Sequence, residues 1–554
     1  MPAGPDTSPR LDNVMLGEVW LCSGQSNMEM PVGGWGKVMN YEKEIAAANY
    51  PDIRLLQVRK TVGYMPADDV AVNMGGWREC SPETVAEFSS IAYFFARELS
   101  AELNVPIGVI DTTWGGTPAE AWTGYETMLG VKGFEKELSR MERCNFSQED
   151  MAADYERELK EWMALANKEN GAFEIADYNE KLPVMPVPGL WENSKLPGFD
   201  GIVWMQYRFD VPVGCEGKSM KLHLGMIDDE DVTYLNGVQI AKGSGYNSQR
   251  IYEVPAELVK SGDAVISVRV SDFGGEGGIH GSPSDFYAEV YGKRIPLHGD
   301  WRYYIAADFS KLPTKPISVG SSSYPTVLYN AMLHPLHVLP VKGFLWYQGC
   351  ANVGREEQYA DMFPAMIENW RELWNDDDLP FYFVQLAGFL QPRKVQPDSE
   401  WAALRNAQAA ALSLDNTAMA VAIDLGDPND IHPKNKQEVA RRLSLIALNR
   451  DYGRKCEYRA PEVKKSHFAG DCVVLSFDKP VKSLANNVTG FIVGDAQGRY
   501  VSADVKVLSE RKIELRATGI DEIEQVKYNW ADYPDGNIVG VSSDLPVAPF
   551  KIDK

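Results

Sequence analysis

The chain has 554 residues, a formal net charge of −23, 44% hydrophobic residues and 24% charged ones. A single hydrophobic core rarely grows past ~250–300 residues, so two or three domains are expected. The acidic balance, without a Lys/Arg-rich block, excludes nucleic acid and anionic membrane as natural partners, and no run of about 18 apolar residues could span a bilayer.

Residues 1–10 are polar and Pro-bearing and offer no apolar stretch for a signal peptide. The expected location is cytoplasmic if this N-terminus is native, and periplasmic or secreted if an export signal has been removed. Seven cysteines lie scattered without a CxxC pair, which reads as buried free thiols rather than a disulfide framework or a zinc cluster.

Five short apolar runs read as buried parallel strands: Glu18–Cys22, Ile107–Ile110, Gly343–Tyr347, Phe381–Leu386 and Ala418–Ile423. Helical spacing falls among them at Ser90–Leu103, Arg355–Trp374, Trp401–Leu412 and Lys436–Asn449. Strands alternating with helices predict an α/β fold with a mainly parallel sheet. A long helical stretch, about Phe134–Lys168, precedes a switch to strict alternation between about Pro188 and Asp300, where Asn236-Gly237 marks a hairpin. This predicts a β-sandwich inserted into the α/β domain. Short strands return after about Lys455 and predict a C-terminal β-domain.

The chemistry-bearing residues follow the α/β strands. Ser23-Gly24-Gln25-Ser26-Asn27-Met28 comes after the first, and Asp111-Thr112-Thr113-Trp114-Gly115-Gly116-Thr117 after the second. Gln348-Gly349-Cys350-Ala351-Asn352 and Asp427-Pro428-Asn429-Asp430-Ile431-His432-Pro433 follow later ones. Ligands of open α/β sheets bind beyond the carboxyl ends of the strands, so these segments should converge on one crevice. A hydroxyl, an imidazole beside carboxylates, small-residue amides and carboxamides form the inventory for acyl transfer. Taken singly each motif has a plainer role: a tight turn at Gly115-Gly116, a helix cap at Asp430. Their order, each behind a strand, favours catalysis.

Gly24-Gln25-Ser26-Asn27-Met28, Trp346-Tyr347-Gln348-Gly349 and Asp430-Ile431-His432-Pro433 resemble the sequence blocks of sialate O-acetylesterases and related carbohydrate acetylesterases of the SGNH hydrolase superfamily. The similarity runs nearly end to end. It implies a flavodoxin-like three-layer α/β domain split into residues 11–187 and 301–454. A galactose-binding-like jelly roll would occupy 188–300, and a C-terminal β-sandwich 455–554. It further implies Ser26 as nucleophile, His432 as general base and acid, and Asp430 or Asp427 as the carboxylate of the triad, with Asp430 favoured. Backbone N–H groups of Ser26 and of Gly116 or Gly115, with side chains of Gln348 or Asn352, would form the oxyanion hole. By position alone, Trp35, Trp114 and Trp122 lie near these blocks and either stack on a sugar ring or pack in the core. The substrate implied is an O-acetylated sugar or glycan, with no cofactor and no metal. Members of the family commonly carry Glu where this chain has Cys350, and the superfamily often places its acid where this chain has Asn429.

Other features read as structural. His334 and His337 have metal-ligand spacing, but Pro335 breaks the helix such a pair needs. Gly274–Gly278 opens no helix and reads as a loop, and Asp228–Asp231 as a solvated turn. Two rivals stand beside the sialate reading: an esterase acting on acetylated plant polysaccharide, and a carbohydrate-binding protein that retains the fold without the chemistry.

Overall fold

The structure, a computed structural model, describes residues 13–168, 173 and 175–554. The reading of residues 1–10 lies outside them. The chain forms two compact units, one of residues up to Met151 together with Ser318–Lys554, the other Ala152–Ile317.

The first unit is built on a seven-stranded sheet. Its strands are β1 (Glu18–Gly24), β2 (Tyr50–Gln57), β3 (Arg78–Cys80), β4 (Ile107–Thr113), β5 (Gly343–Tyr347), β6 (Phe381–Val384) and β7 (Thr417–Ala420). They run in the order β7-β6-β5-β1-β4-β2-β3, and every pair is parallel except β2 with β3. All five strands expected from apolar runs are present. β2 was not anticipated: Pro51 and Asp52 near its start are exposed, and apolar residues dominate only from Ile53 onward. A one-turn helix α1 (Ser26–Glu29), and helices α2 (Ser90–Leu103), α3 (Glu356–Trp374), α4 (Glu400–Ala410) and α5 (Lys436–Arg450), accompany the sheet. α2 buries Ile91, Phe94, Phe95 and Leu99, as its spacing predicts, and ends on Asn104 in the left-handed conformation.

The C-terminal strands form two four-stranded antiparallel sheets and a two-stranded one, around a core that includes Val473, Leu475, Val493, Ile513, Leu515 and Val526. This β-region belongs to the same compact unit as the α/β sheet, and Arg405 of α4 is one reason. Fully buried, it donates to the carbonyls of Leu386 and Ala387 on one side and of Ala531 and Asp532 on the other, all at 2.7–2.8 Å. The Asp532 carboxylate in turn accepts from Gln396 and Ser399.

The second unit contains an antiparallel sandwich whose two six-stranded sheets pack over Val203, Leu222, Leu224, Ile266, Val268 and Trp301. The turn at Asn236-Gly237 joins two paired strands with both residues at positive φ, as a two-residue hairpin requires. The unit is wider than the alternating region. Strand Val184–Val187 pairs with Gly299–Asp308, and Trp162 and Ala166 pack with Ile202, Trp204 and Ala306. The long helical stretch is two helices, Glu135–Arg143 and Gln148–Lys168, because Asn145 and Phe146 take positive φ between them.

Candidate active site

Register levels the ends of three strands. Gly24 of β1 pairs with Thr113 of β4 and Tyr347 of β5, so the residues that follow each strand emerge side by side. Gly24 has φ +137°, and a Cβ there would stand 2.3 Å from the Tyr347 carbonyl oxygen; only glycine fits. The Trp114 N–H donates to the Gly24 carbonyl and the Gln25 N–H to the Tyr347 carbonyl, both at 3.1 Å. The Gln25 side chain accepts from the N–H groups of Gly349 and Ala351 at 3.2 Å each. The first turn after β1 is thus fastened to both neighbouring turns.

Ser26 opens α1 and is half-buried. Its Oγ lies 2.8 Å from Nε2 of His432, which arrives from the loop ahead of α5, 406 positions later in sequence. The Asp430 Oδ1 accepts the His432 backbone N–H at 2.8 Å and stands 3.6 Å from Nδ1 of the ring. Lys434 Nζ lies 3.5 Å from the other Asp430 oxygen. Asp427 is exposed and turned to its own loop, accepting the Asn429 N–H at 2.9 Å. Trp35, half-exposed, meets the His432 ring edge-to-face at 5.2 Å. Burial, and then the positive charge of Lys436, hold His432 below the usual histidine range. Its imidazole is therefore neutral, and basic, at neutral pH.

Among the described residues, the N–H groups of Ser26 and Gly116 have no acceptor. Gly116 takes φ +75°, which suits a glycine in an exposed turn. Gly115 differs: its N–H donates to the Glu29 carboxylate at 2.5 Å, and Lys60 Nζ reaches that carboxylate at 2.7 Å. Gln348 and Asn352 are fully buried, and their amides are turned inward. Gln348 Nε2 donates to the Thr117 carbonyl (3.3 Å) and to Asn352 Oδ1 (2.6 Å). Asn352 Nδ2 donates to Glu120 (2.9 Å), and its Oδ1 accepts the Ala119 N–H (3.1 Å). The reason is Glu120, a buried carboxylate that also takes Arg355 at 2.7 Å and needs those donors. In this geometry the two amides are engaged with the segment after Trp114.

Trp114 is half-buried with Lys60 Nζ 5.8 Å from its ring centroid, whereas Trp122 is core. A cavity of about 340 Å³ lies beside the pair, lined by Glu29, Trp35, Arg59, Lys60, Asn73 and Asp111 among others. Asp111 is buried beneath it, and burial pushes its carboxyl up to about 6 despite donors from Thr113 (2.6 Å) and Gln57 (3.1 Å). His334 binds the Ala67 carbonyl, and no group of three metal-binding side chains exists among the described residues. Sequence reasoning missed Glu29, Glu120 and Lys436. The signal for Glu29 was a lone charge between Met28 and Met30, both fully buried. A hydroxyl hydrogen-bonded to a neutral imidazole, with unused N–H donors close by in sequence and fold, is equipped for acyl transfer.

Comparison with known proteins agrees. A family model described as "Carbohydrate esterase, sialic acid-specific acetylesterase" matches residues 16–164 and 315–445. The sialate O-acetylesterase of Mus musculus is 24% identical, covering 98% of this chain and 78% of the mouse protein. That of Homo sapiens is 23% identical, covering 98% and 76%. A solved carbohydrate acetylesterase from Xanthomonas citri is 25% identical with a TM-score of 0.59, covering 97% of this chain and 81% of that one.

Proposed function

From the premise that the chain belongs to the carbohydrate esterase family of sialic acid-specific acetylesterases, and is thus an ester hydrolase, we propose that it removes O-acetyl groups from sugars by a Ser–His–Asp mechanism. The substrate we favour is an O-acetylated sialate, after the name the relatives carry, with the 9-O-acetyl form as the position the sequence resemblance implies. The observation that carries the mechanism is the 2.8 Å contact between Ser26 Oγ and His432 Nε2.

In this reading Ser26 Oγ attacks the acetyl carbonyl carbon while Nε2 takes the hydroxyl proton. The tetrahedral oxyanion is held by the N–H groups of Ser26 and Gly116; losing one such donor typically costs about 2.7–4 kcal/mol. The intermediate collapses, the sugar oxygen leaves with the proton from Nε2, and Ser26 carries the acetyl group. Water then attacks that ester with His432 again as base, releasing acetate and restoring Ser26. Asp430 is the acid that orients the ring, supported by its place beside Nδ1; Asp427 faces away. The 3.6 Å gap exceeds a hydrogen bond; in this reading it tightens in the substrate complex, as such contacts commonly do. The strand-end placement of Ser26, the Gly115-Gly116 turn and His432 supports assigning the α/β part to the SGNH class, and the inserted sandwich to the galactose-binding-like type. Trp35 and Trp114 flank the crevice as platforms for a sugar ring.

The test is acetate release from p-nitrophenyl acetate and from 9-O-acetylated sialic acid by wild type and Ser26→Ala, with folding verified by circular dichroism. Wild-type turnover on both and near-background rates for the folded mutant are expected. Equal rates would remove Ser26 from the mechanism. Turnover of acetylated xylan in place of sialate would move the substrate to plant polysaccharide.

A further inference from the structure

Lys436 opens α5 and is fully buried behind the nucleophile turn. Its Nζ donates to Asn27 Oδ1 at 2.5 Å and lies 5.4 Å from the centroid of the Tyr347 ring. Among the described residues no carboxylate forms an ion pair with it. A buried ammonium without a counter-ion is expensive, so its retention calls for a reason.

Asn27 supplies one. It follows Ser26 directly, and its Nδ2 donates to the carbonyl of Ile431, the residue before His432, at 3.0 Å. One amide therefore touches both halves of the Ser26–His432 pair. Lys436 fixes which way that amide faces: an ammonium only donates, so Oδ1 must point at Nζ and Nδ2 at Ile431. The charged and titratable groups facing Nζ are Tyr347 at the end of β5, Cys350 just after it, and Asp430 and Lys434 on the histidine loop. Those acting on the His432 ring are Lys436, Asp430, Lys434 and Glu29 of α1. Burial pushes the Cys350 thiol up to about 12, so it brings no negative charge near neutrality. Burial pulls the Lys436 ammonium down to about 7, which leaves it charged where histidine titrates.

We propose that Lys436 is a positioning residue for the esterase reaction. It orients the Asn27 amide that ties the Ser26 turn to the His432 loop, so its charge sits one amide away from that loop. Cys350, a thiol that stays protonated beside Nζ, supplies no counter-charge. The inference rests on the serine-esterase reading above.

The experiment is the pH profile of kcat and kcat/KM for p-nitrophenyl acetate in wild type, Lys436→Met, Lys436→Arg and Cys350→Glu, each checked by circular dichroism. Lys436→Met should lower kcat about 10- to 100-fold with KM changed less than about two-fold. It should also raise the acidic midpoint of kcat/KM by about one pH unit, since a positive charge beside His432 is gone. Lys436→Arg should keep the wild-type midpoint. Cys350→Glu, which sets a carboxylate near Nζ, should raise the same midpoint, and it decides the matter if the methionine variant does not fold. A folded Lys436→Met with wild-type kcat and midpoint, or a folded Cys350→Glu with the wild-type midpoint, overturns the proposal. Ser26→Ala is run alongside: if it matches wild type, the esterase reading has failed, and if it is inactive while Lys436→Met is normal, only this inference has.

Discussion

Two regions of the molecule collect buried ionisable groups, and they differ in what they can do. At the sheet end of the first unit stand His432, Lys436 and Asp111; in the sandwich unit stand Asp228, Asp272, Asp200 and Glu192. Burial and neighbouring carboxylates raise both Asp228 and Asp272 to about 7, and push Asp200 and Glu192 upward. The sandwich group is like-charged, and the fully buried Asp272 has an oxygen, Oδ2, without a partner. The crevice sets a hydroxyl 2.8 Å from an imidazole. Perturbed acidity is thus common to both, and only geometry separates a reactive site from a strained one.

The widest separation should appear in rate. His432→Ala should lower acetate release by about 10⁴-fold or more, since members of such a triad act as a unit. Asp228→Asn and Asp272→Asn should leave turnover of p-nitrophenyl acetate within about two-fold. Loss of turnover in either sandwich variant, with folding intact, would erase the distinction.

Within the crevice the two candidate acids should separate next. Asp430→Asn is expected to lower kcat by about 10²-fold or more through a misoriented imidazole. Asp427→Asn should stay near wild type, and the reverse ranking would exchange their roles.

Stability should sharpen the contrast from the other side. A carboxyl whose folded pKa is raised binds more protons folded than unfolded. Its contribution is therefore fully present below about pH 4 and is lost as pH rises toward about 7. Asp272→Asn removes that loss and keeps an oxygen for the Gly274 N–H. Urea unfolding should find it more stable than wild type at pH 8, on the order of 2–4 kcal/mol, and little different at pH 4. Equal stability at both would mean the sandwich carboxyls are relaxed.

The smallest expected effect is in the pH profile of wild-type kcat/KM. It should rise with pH as His432 loses its proton, with a midpoint below the ordinary ~6.5, because burial and Lys436 disfavour the imidazolium. A midpoint above 6.5 would mean that Asp430 outweighs both.

Much of this is legible in the amino-acid sequence. The five buried strands announce themselves because parallel strands covered on both faces are apolar throughout. That Ser26, His432 and Asp430 would meet was legible because each follows a strand, and register alone brings strand ends together. The inward turn of the Gln348 and Asn352 amides was not. Glu120, whose burial no local pattern reveals, draws the Asn352 amide inward, and Asn352 in turn takes Gln348. Nothing in the local sequence separates Lys436 from an exposed lysine at a helix start; its partner, Asn27, lies 409 positions away. The width of the second unit was hidden for a similar reason. Trp162 and Ala166 lie in a helix with charged neighbours, and only long-range packing on Trp204 and Ala306 assigns them to the sandwich unit.

The most direct test of the central claim is to inactivate the enzyme with a fluorophosphonate ester and locate the label by peptide mass spectrometry. The account predicts one phosphonyl group per chain, on Ser26, accumulating in step with the loss of acetate release. Label on Cys350 or any other residue, or complete labelling of Ser26 with activity retained, would contradict it.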